Sequence, residues 1–496
     1  MSQLFQRKPM ADLVVDEADT SRSLKRVLGA GDLIMLAIGA VIGAGIFGAI
    51  GTAAAGQIGP NGEIIRHAAG PALIFSFILL GGACALAGLC YAELASMIPQ
   101  AGGAYAYSYA ALGELVAWII GWDLILEYAI GNIAVAISWA DYFTTLMRSF
   151  GVEFPVYLTT AYRTALLSSN PDVHGLLQTA PSIIGIPILL NIPALLICLF
   201  VTWLLLRGAR ESARANAIMV VIKLAVLALF IGVGVMNINP ANYTPFAPNG
   251  FTGIHQGAAI VFFAYIGFDA ISTAAEETYD PKRNLPMGIL GGLAICTLIY
   301  VIVGAVITGM VPYTELAVAD PLARALEMVG YTRVGAIVAF GATVSMAAVL
   351  LVFTYGQPRI FFAMARDGLL PKWVARVDPK TRIPWEATLA TGVITGLAAM
   401  VGDAAETYDL TNIGTLFAFA LVCSGVLVLR IVEPDRERPF KVPFVWIIAP
   451  LGIAACLFIM VGLPAQAWRV FGWWLLIGLS IYAVYGYRHS KLRIGQ

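Results

Sequence analysis

Three glycines interrupt one stretch of this chain, Ile38-Gly39-Ala40-Val41-Ile42-Gly43-Ala44-Gly45-Ile46-Phe47. The apolar segment around it, Leu33–Thr52, has the roughly 20 residues that a helix needs to cross a bilayer. Each glycine inside a helix costs about 1 kcal/mol relative to alanine. Within a membrane, unpaired backbone is tolerated only where it is buried in protein or lines a cavity. The break at Gly43 to Gly45 therefore predicts a place where backbone N–H and C=O groups meet a ligand.

The composition indicates a membrane protein with many spans. Of the 496 residues, 59% are hydrophobic and only 12% are charged, and the mean hydropathy is +0.82. Repeated apolar runs of this kind are typical of polytopic proteins, and about twelve segments are long enough to span. The predicted spans are Leu33–Thr52, Ala72–Met97, Leu115–Met147, Pro187–Leu206, Ala217–Val235, Ile254–Ala275, Met287–Val311, Val334–Met364, Trp385–Val401, Thr411–Leu429, Pro443–Gly462 and Val470–Tyr487.

The distribution of charge predicts an orientation. Most of the 30 Lys and Arg residues fall in the two ends of the chain and in alternate loops. By the positive-inside rule, both ends then face the cytoplasm of a multi-pass protein of the cell membrane. The net charge of zero indicates no nucleic-acid partner. The six cysteines lie in apolar runs and are expected to be buried, and the four histidines lack metal-ligand spacing, so neither a metal nor another cofactor is expected.

A second break interrupts the sixth segment, where Phe262-Phe263-Ala264-Tyr265-Ile266-Gly267-Phe268-Asp269-Ala270 combines a glycine with a carboxylate. Interrupted helices at matching positions of two halves point to a secondary transporter with inverted repeats. The predicted fold is therefore an all-α polytopic membrane protein with a five-plus-five inverted repeat and broken helices 1 and 6. The expected units are a tail over 1–31, repeats over 32–236 and 252–430, two additional helices over 441–487, and a tail over 488–496.

The first break offers chemistry for an amino acid. Its inner half-helix would end with free carbonyls near Val41 and Ile42, and its outer half-helix would begin with free N–H groups at Ala44 and Gly45. Free carbonyls suit an ammonium group, and free N–H groups at a helix N-terminus suit a carboxylate. A zwitterionic α-amino acid matches both. The alternative is close helix packing through small residues four positions apart.

Four of the ionisable residues within apolar segments are candidates for function. Asp269 could carry a proton or cap the second half-helix. Lys223 lies about 13 Å beyond Arg214 along a helix, and it could either extend to the inner surface or act as a switch, because burial disfavours its charged form. Asp123 and Glu127 share one helix face, which could line a cavity or bond to neighbouring helices.

Three motifs are Gly43–Phe47, Pro99–Tyr105 and Leu126–Tyr128. They resemble patterns of the amino acid–polyamine–organocation (APC) superfamily of transporters. Further motifs are Gly267–Thr273 with Glu276 and Glu277, Pro358–Ile360, and Ile413–Leu416. They resemble, within that superfamily, the cationic amino acid transporter (CAT) family. The resemblance covers nearly the whole chain, and the motifs together are specific.

The resemblance implies a leucine-transporter-type fold, alternating access and a defined substrate site. The substrate carboxylate is expected on the amides of Gly43, Ala44 and Gly45. The amine is expected on the carbonyls of Val41, Phe263 and Ile266. The site is completed by Ile42, Gly267 and Phe353. In proton-coupled relatives a fifth-span lysine replaces a sodium ion, and Lys223 falls at that position, with Gly39 and Asp269 as further candidates for proton coupling.

The expected function is secondary active transport of L-amino acids, by proton-coupled symport, with neutral amino acids such as alanine favoured by the aromatic Phe353. The alternatives are a uniporter or exchanger for arginine or lysine, for which Asp123 or Glu127 could supply a partner carboxylate, and a sodium-coupled symporter. No nucleophile–base pair or nucleotide loop indicates an enzyme, and no filter sequence indicates a channel. The expected partners are an L-amino acid, protons and membrane lipid, and the protein is expected to function as a monomer.

Overall fold

The computed structural model describes residues 5–8, 28–98, 103–183, 185–207, 212–269, 271–272, 278–378 and 384–494. Within them the chain is mostly helical. The helices are α1 (Ala30–Val41), α2 (Ile50–Ala55), α3 (Leu73–Met97), α4 (Gly103–Ala111), α5 (Glu114–Ile125), α6 (Gly131–Ser149), α7 (Tyr162–Leu167), α8 (Pro171–Thr179), α9 (Ile192–Arg207), α10 (Ser212–Val235), α11 (Gly250–Val261), α12 (Pro281–Met310), α13 (Pro321–Met328), α14 (Thr332–Arg366), α15 (Trp385–Val401), α16 (Ala404–Val432), α17 (Val445–Val461), α18 (Ala465–Ile481), α19 (Tyr487–His489) and α20 (Lys491–Ile494).

Short irregular elements connect these helices. Two hairpins are formed by β1 (Gln57–Ile58) with β2 (Ile64–Arg66), and by β3 (Ser182–Ile183) with β4 (Ile186–Pro187). Three π-helical turns continue helices at Gly45–Ala49, Leu126–Ile130 and Tyr482–Gly486. Turns of 3₁₀-helix occupy Gly70–Ala72, Val156–Leu158, Pro240–Tyr243, Phe262–Tyr265, Tyr313–Leu316 and Lys372–Ala375.

The all-α polytopic fold is confirmed. By length and composition, seven helices of the described chain could cross a membrane, and the bent pair that begins with α1 adds an eighth. Three shorter apolar helices, α9, α15 and α17, coincide with the predicted fourth, ninth and eleventh spans. The total of twelve spans and the inverted repeat stay predictions.

Helix packing encloses one large apolar core and a small separate cluster around Ala365, Val374 and Ala387. Helix α3 packs along α12, α6 along α14, α9 along α15, and α16 along α17. All six cysteines are buried in this core, as predicted. The predicted tails are described only in part: residues 5–8 and 28–31 of the first, and the short helices up to Ile494 of the second. Part of the sixth-span motif, 270 and 273–277, and part of the 99–105 motif, 99–102, lie outside the described residues.

Candidate functional site

The first apolar segment is broken where the glycines predict. Helix α1 ends at Val41, and Ile42 is extended, with φ −76° and ψ 103°. The chain resumes as a π-helical turn at Gly45, and the two halves are bent by 48° relative to each other. The carbonyls at the end of α1 and the N–H groups at the start of the next half are therefore released from regular helix bonding, which is the arrangement expected of an ion- or zwitterion-binding break.

The second break lies directly against the first. Helix α11 gives way to a 3₁₀ turn, Phe262–Tyr265, and Ile266 is extended. Gly267 has φ +111°, a conformation that residues with side chains rarely adopt. The two breaks pack so closely that a Cβ on Gly45 would lie 2.3 Å from the Cα of Ala264. The structure thus brings the two broken segments together as one backbone-lined region.

Tyr300 of α12 connects both breaks, and the sequence reasoning missed it. Its hydroxyl lies 3.0 Å from the carbonyl oxygen of Val41 and 2.8 Å from that of Ala264. A hydroxyl has one proton, so it donates fully to only one of these carbonyls at a time. The available signal was a tyrosine within an otherwise apolar span, because a buried tyrosine hydroxyl usually needs a partner.

Lys223 reaches the first break from α10. Its Nζ donates to the carbonyl of Gly39 at 2.7 Å and to that of Ile42 at 2.9 Å. The side chain is fully buried, so it does not extend to the inner surface. The Ser345 hydroxyl of α14 donates to the same Ile42 carbonyl at 3.0 Å. The structure therefore brings Lys223 and Gly39 together as predicted, and their role in coupling stays a prediction.

Asp269 has a different set of neighbours. It lies just past the second break and is buried, and the carboxyl group of Glu127 is one of its electrostatic partners. Asp123 is also an electrostatic neighbour of Glu127, although the π-helical turn Leu126–Ile130 changes the helical register between them. Both carboxylates of the third segment are almost fully buried. Asp123 has no hydrogen-bond donor at bonding geometry in the described chain, whereas the Thr415 hydroxyl and the Asp269 carboxyl group are polar neighbours of Glu127.

Two aromatic pairs contain the predicted wall residues Phe263 and Phe353. The Phe353 ring of α14 lies 5.4 Å from the ring of Tyr128, and the Phe263 ring lies 4.6 Å from the ring of Tyr408. A Cβ on Gly131 would lie 3.3 Å from the Phe353 ring. The walls predicted from Phe263 and Phe353 thus each have a tyrosine partner, which sequence spacing could not identify.

Comparison with known proteins determines the family. A family model described as amino acid permease matches residues 28–483. The chain belongs to the amino acid permease family. The resemblance to the APC superfamily is therefore confirmed, and the permease is a transporter rather than an enzyme.

Three known transporters align with most or nearly all of the permease. It is 42% identical over 99% of its length to all of the methylthioribose transporter of Bacillus subtilis (strain 168). It is 43% identical over 99% of its length to 99% of the branched-chain amino acid permease BcaP of the same organism. It is also 38% identical, over 88% of its length and 68% of the relative, to the vacuolar cationic amino acid transporter 4 of Arabidopsis thaliana.

Proposed function

We propose that this permease is a proton-coupled symporter of neutral L-amino acids that works by alternating access. The observation that carries the proposal is the contact between two broken segments, with Lys223 bonded to the first of them. Broken helices free backbone groups of both polarities, and such pairs hold the substrates of many secondary transporters. The fold is proposed to contain the repeats 32–236 and 252–430, which would move relative to each other around this site.

The substrate backbone is proposed to bind main-chain groups at the two breaks. Its carboxylate would accept from the N–H groups of Gly43, Ala44 and Gly45, at the positive end of a half-helix. Its ammonium would donate to the carbonyls of Val41, Phe263 and Ile266. Ile42 and Gly267 are assigned to the site because their non-helical backbone separates the two half-helices at each break.

The substrate side chain is proposed to be neutral and aliphatic. The pairs Phe353–Tyr128 and Phe263–Tyr408 offer apolar walls, and a relative 43% identical is named for branched-chain amino acids. Asp123 and Glu127 support the competing proposal of a cationic substrate, because a buried guanidinium would need such a carboxylate. The CAT relatives agree with that alternative.

A thermal-shift screen of the purified permease distinguishes these substrates. We expect leucine, valine, isoleucine or alanine to raise the melting temperature, and arginine, lysine and methylthioribose to have a smaller effect. Competition with a labelled neutral amino acid in liposomes provides the matched transport measurement. Strong stabilisation by arginine alone, with no response to neutral amino acids, would contradict the proposed substrate class.

Proton coupling is proposed to work through Lys223. When protonated, its ammonium donates to the carbonyls of Gly39 and Ile42 and braces the inner half-helix. Loss of the proton would weaken this charge-assisted contact and release the half-helix toward the cytoplasm. A lysine can lose its proton in a protein interior, whereas an arginine stays charged. Asp269, close to Glu127, is proposed as a second proton-carrying group.

Accumulation in liposomes tests this coupling. Under an inward proton gradient in sodium-free buffer, the wild type should accumulate substrate. Lys223→Ala should bind or exchange substrate without accumulating it. Lys223→Arg should be locked in one conformation and should not transport. Ser345→Ala is the matched control, because it removes an uncharged donor to the same Ile42 carbonyl and should keep gradient-driven uptake. Uptake that requires sodium, or normal accumulation by Lys223→Ala, would rule the mechanism out.

We also propose that the permease acts as a monomer in the cell membrane, with both ends in the cytoplasm. The proposal rests on the excess of Lys and Arg in the segments assigned to that side. Single cysteines are placed at Gly62 and at Tyr487 in a background without the native cysteines. In intact cells an impermeant maleimide should label only the cysteine at position 62, and after permeabilisation it should label both. Labelling of both from outside would contradict this orientation.

A further inference from the structure

A cavity of ≈640 Å³ opens at the first turn of α12, between this helix, the start of α1 and the segment that follows α16. Its charged groups are the exposed side chains of Lys282 and Arg283, together with Asp280. The lining of the cavity thus has two cations and one carboxylate. Neither basic side chain makes an ion pair in the described part of the chain. The apolar lining includes Ile34, Met287, Leu290 and Phe440.

The apolar wall continues along the outer face of α12. Met287 is 45% exposed, Ile295 is 39% exposed and Leu298 is 62% exposed. Their spacing places them on one side of the helix. The distance from Met287 to Leu298 is about 16 Å of helix, close to the hydrocarbon thickness of one leaflet. A cationic opening thus leads into an exposed apolar stripe of the length of a lipid chain.

We propose that this cavity binds an anionic phospholipid of the leaflet on the same side as the chain ends. The phosphate would lie between Lys282 and Arg283, and an acyl chain would follow the stripe from Met287 to Leu298. Basic cavities between transmembrane helices bind anionic headgroups in this way. Ile34 and Phe440 line the same cavity, so the lipid would contact α1, the helix that carries Gly39, as well as α12. This site is separate from the substrate site at the breaks.

The test compares lipids on the purified full-length protein in detergent. Phosphatidylglycerol and phosphatidylcholine with identical acyl chains are titrated, and retained lipid is counted by native mass spectrometry. We expect phosphatidylglycerol to bind about 10-fold or more tightly than phosphatidylcholine, because two cations face the phosphate. The double variant Lys282→Gln/Arg283→Gln should lose that preference. The matched control Arg324→Gln/Arg333→Gln, which removes two exposed charges beyond the opposite end of α12, should keep it.

Inorganic phosphate separates a lipid site from a simple anion site. A millimolar excess of phosphate should not displace phosphatidylglycerol, because phosphate gains nothing from the apolar stripe. Equal affinity of the wild type for the two lipids, an unchanged preference in the Lys282→Gln/Arg283→Gln variant, or displacement by phosphate would each overturn the proposal. The comparison of lipids on the wild type decides the proposal even if the double variant folds poorly.

Discussion

At Gly45 the two broken segments leave no room for a side chain. A Cβ there would lie 2.3 Å from the Cα of Ala264 and 2.4 Å from its N, and backbone atoms cannot yield as a flexible side chain can. We expect Gly45→Val to separate the breaks and to weaken substrate binding by at least about 10-fold. Gly82→Val on α3 is the control, because a Cβ at Gly82 meets open space. Unchanged affinity in Gly45→Val, measured by thermal shift, would contradict a main-chain site.

Tyr300 should matter for transport because its hydroxyl contacts both breaks. Tyr300→Phe leaves the packing intact but removes the donor shared by Val41 and Ala264. A lost hydrogen bond of this kind costs about 1 kcal/mol, so we expect transport to slow by roughly 5- to 10-fold. Tyr243→Phe is the matched control, because the Tyr243 hydroxyl donates to the Ala305 carbonyl at 2.9 Å, away from the breaks. Initial uptake rates in liposomes are measured for both variants. Equal rates for Tyr300→Phe and Tyr243→Phe would show that transport does not need the contact of the Tyr300 hydroxyl with the breaks.

Gly45 and Tyr300 differ in how far the sequence predicts their roles. Clustered glycines and a lysine are unusual within an apolar span of a transmembrane helix. The sequence alone therefore identifies their positions as candidates for function. The partners of Lys223 could be proposed because a break frees carbonyls nearby. Tyr300 is ordinary in composition, and its importance comes only from folding, which carries it to carbonyls 259 and 36 residues away in sequence.

At the scale of elements, one buried ion pair joins a hairpin to a long helix. Arg66 of β2 donates to both carboxylate oxygens of Asp409 on α16, at 2.7 and 2.8 Å, and to the Gln256 carbonyl at 3.2 Å. We expect Arg66→Met to destabilise the protein by about 3–5 kcal/mol, since it leaves a buried carboxylate unpaired. Arg66→Met/Asp409→Leu should recover much of that loss. Melting curves in detergent test this, and a double variant less stable than Arg66→Met would contradict it.

The short helix α13 gives a prediction for pH. Asp320 precedes this helix outside the spans, and burial raises its pKa above the ordinary value of 3.8, although a hydrogen bond from Thr145 partly offsets that effect. The folded protein therefore holds this proton more tightly than the unfolded chain does. The stability contributed by protonated Asp320 is present at low pH and is lost as pH rises through the raised pKa.

A neutral side chain at position 320 should remove this dependence. Asp320→Asn keeps an oxygen that can accept from Thr145, so we expect its melting temperature to fall less than that of the wild type as pH rises above 3.8. Asp172→Asn, at an exposed position in α8, is the control and should follow the wild type. Parallel melting profiles for the wild type and Asp320→Asn would show that this carboxyl does not contribute.

The sequence predicts which segments are helical more readily than it predicts irregular turns within those helices. Long apolar runs such as α3, α12 and α14 predict helices, because only a helix lets a single segment satisfy all of its own backbone groups within lipid. The π-helical turn Leu126–Ile130 has no comparable signal. It inserts one residue into a stretch that would form a regular helical turn equally well, and only packing against its neighbours distinguishes the two.

At the scale of the whole molecule, described segments near the two ends of the chain meet on one surface. Lys8 forms an ion pair with Asp367 at the end of α14, at 2.9 Å, and the Lys491 N–H donates to the carbonyl of Asp367 at 3.1 Å. The N–H of Glu114 donates to the Gln6 carbonyl at 3.1 Å. The Glu114 carboxylate accepts from the Tyr482 hydroxyl at 2.8 Å. These contacts join segments separated by up to 368 residues, so no local pattern could predict them.

We expect this surface to hold the N-terminal segment and the end of α14 together. The Lys8 and Asp367 side chains are only 13% and 11% exposed, so their pair is screened less than a surface pair. Tyr105 also donates to the Asp367 carboxylate, at 2.9 Å. Lys8→Gln should therefore lower stability by roughly 1–2 kcal/mol, whereas Lys372→Gln, at an exposed position, should change little.

A double-mutant cycle separates this pair from other effects of the substitutions. Melting curves of Lys8→Gln, Asp367→Asn and the double variant give the coupling between the two side chains. Because Asp367 also accepts from Tyr105, Asp367→Asn alone should cost more than Lys8→Gln. Additive losses would mean that the N-terminal segment is not held by this ion pair. A coupling that disappears in high salt would mean that the pair is solvated in solution, despite its low exposure here.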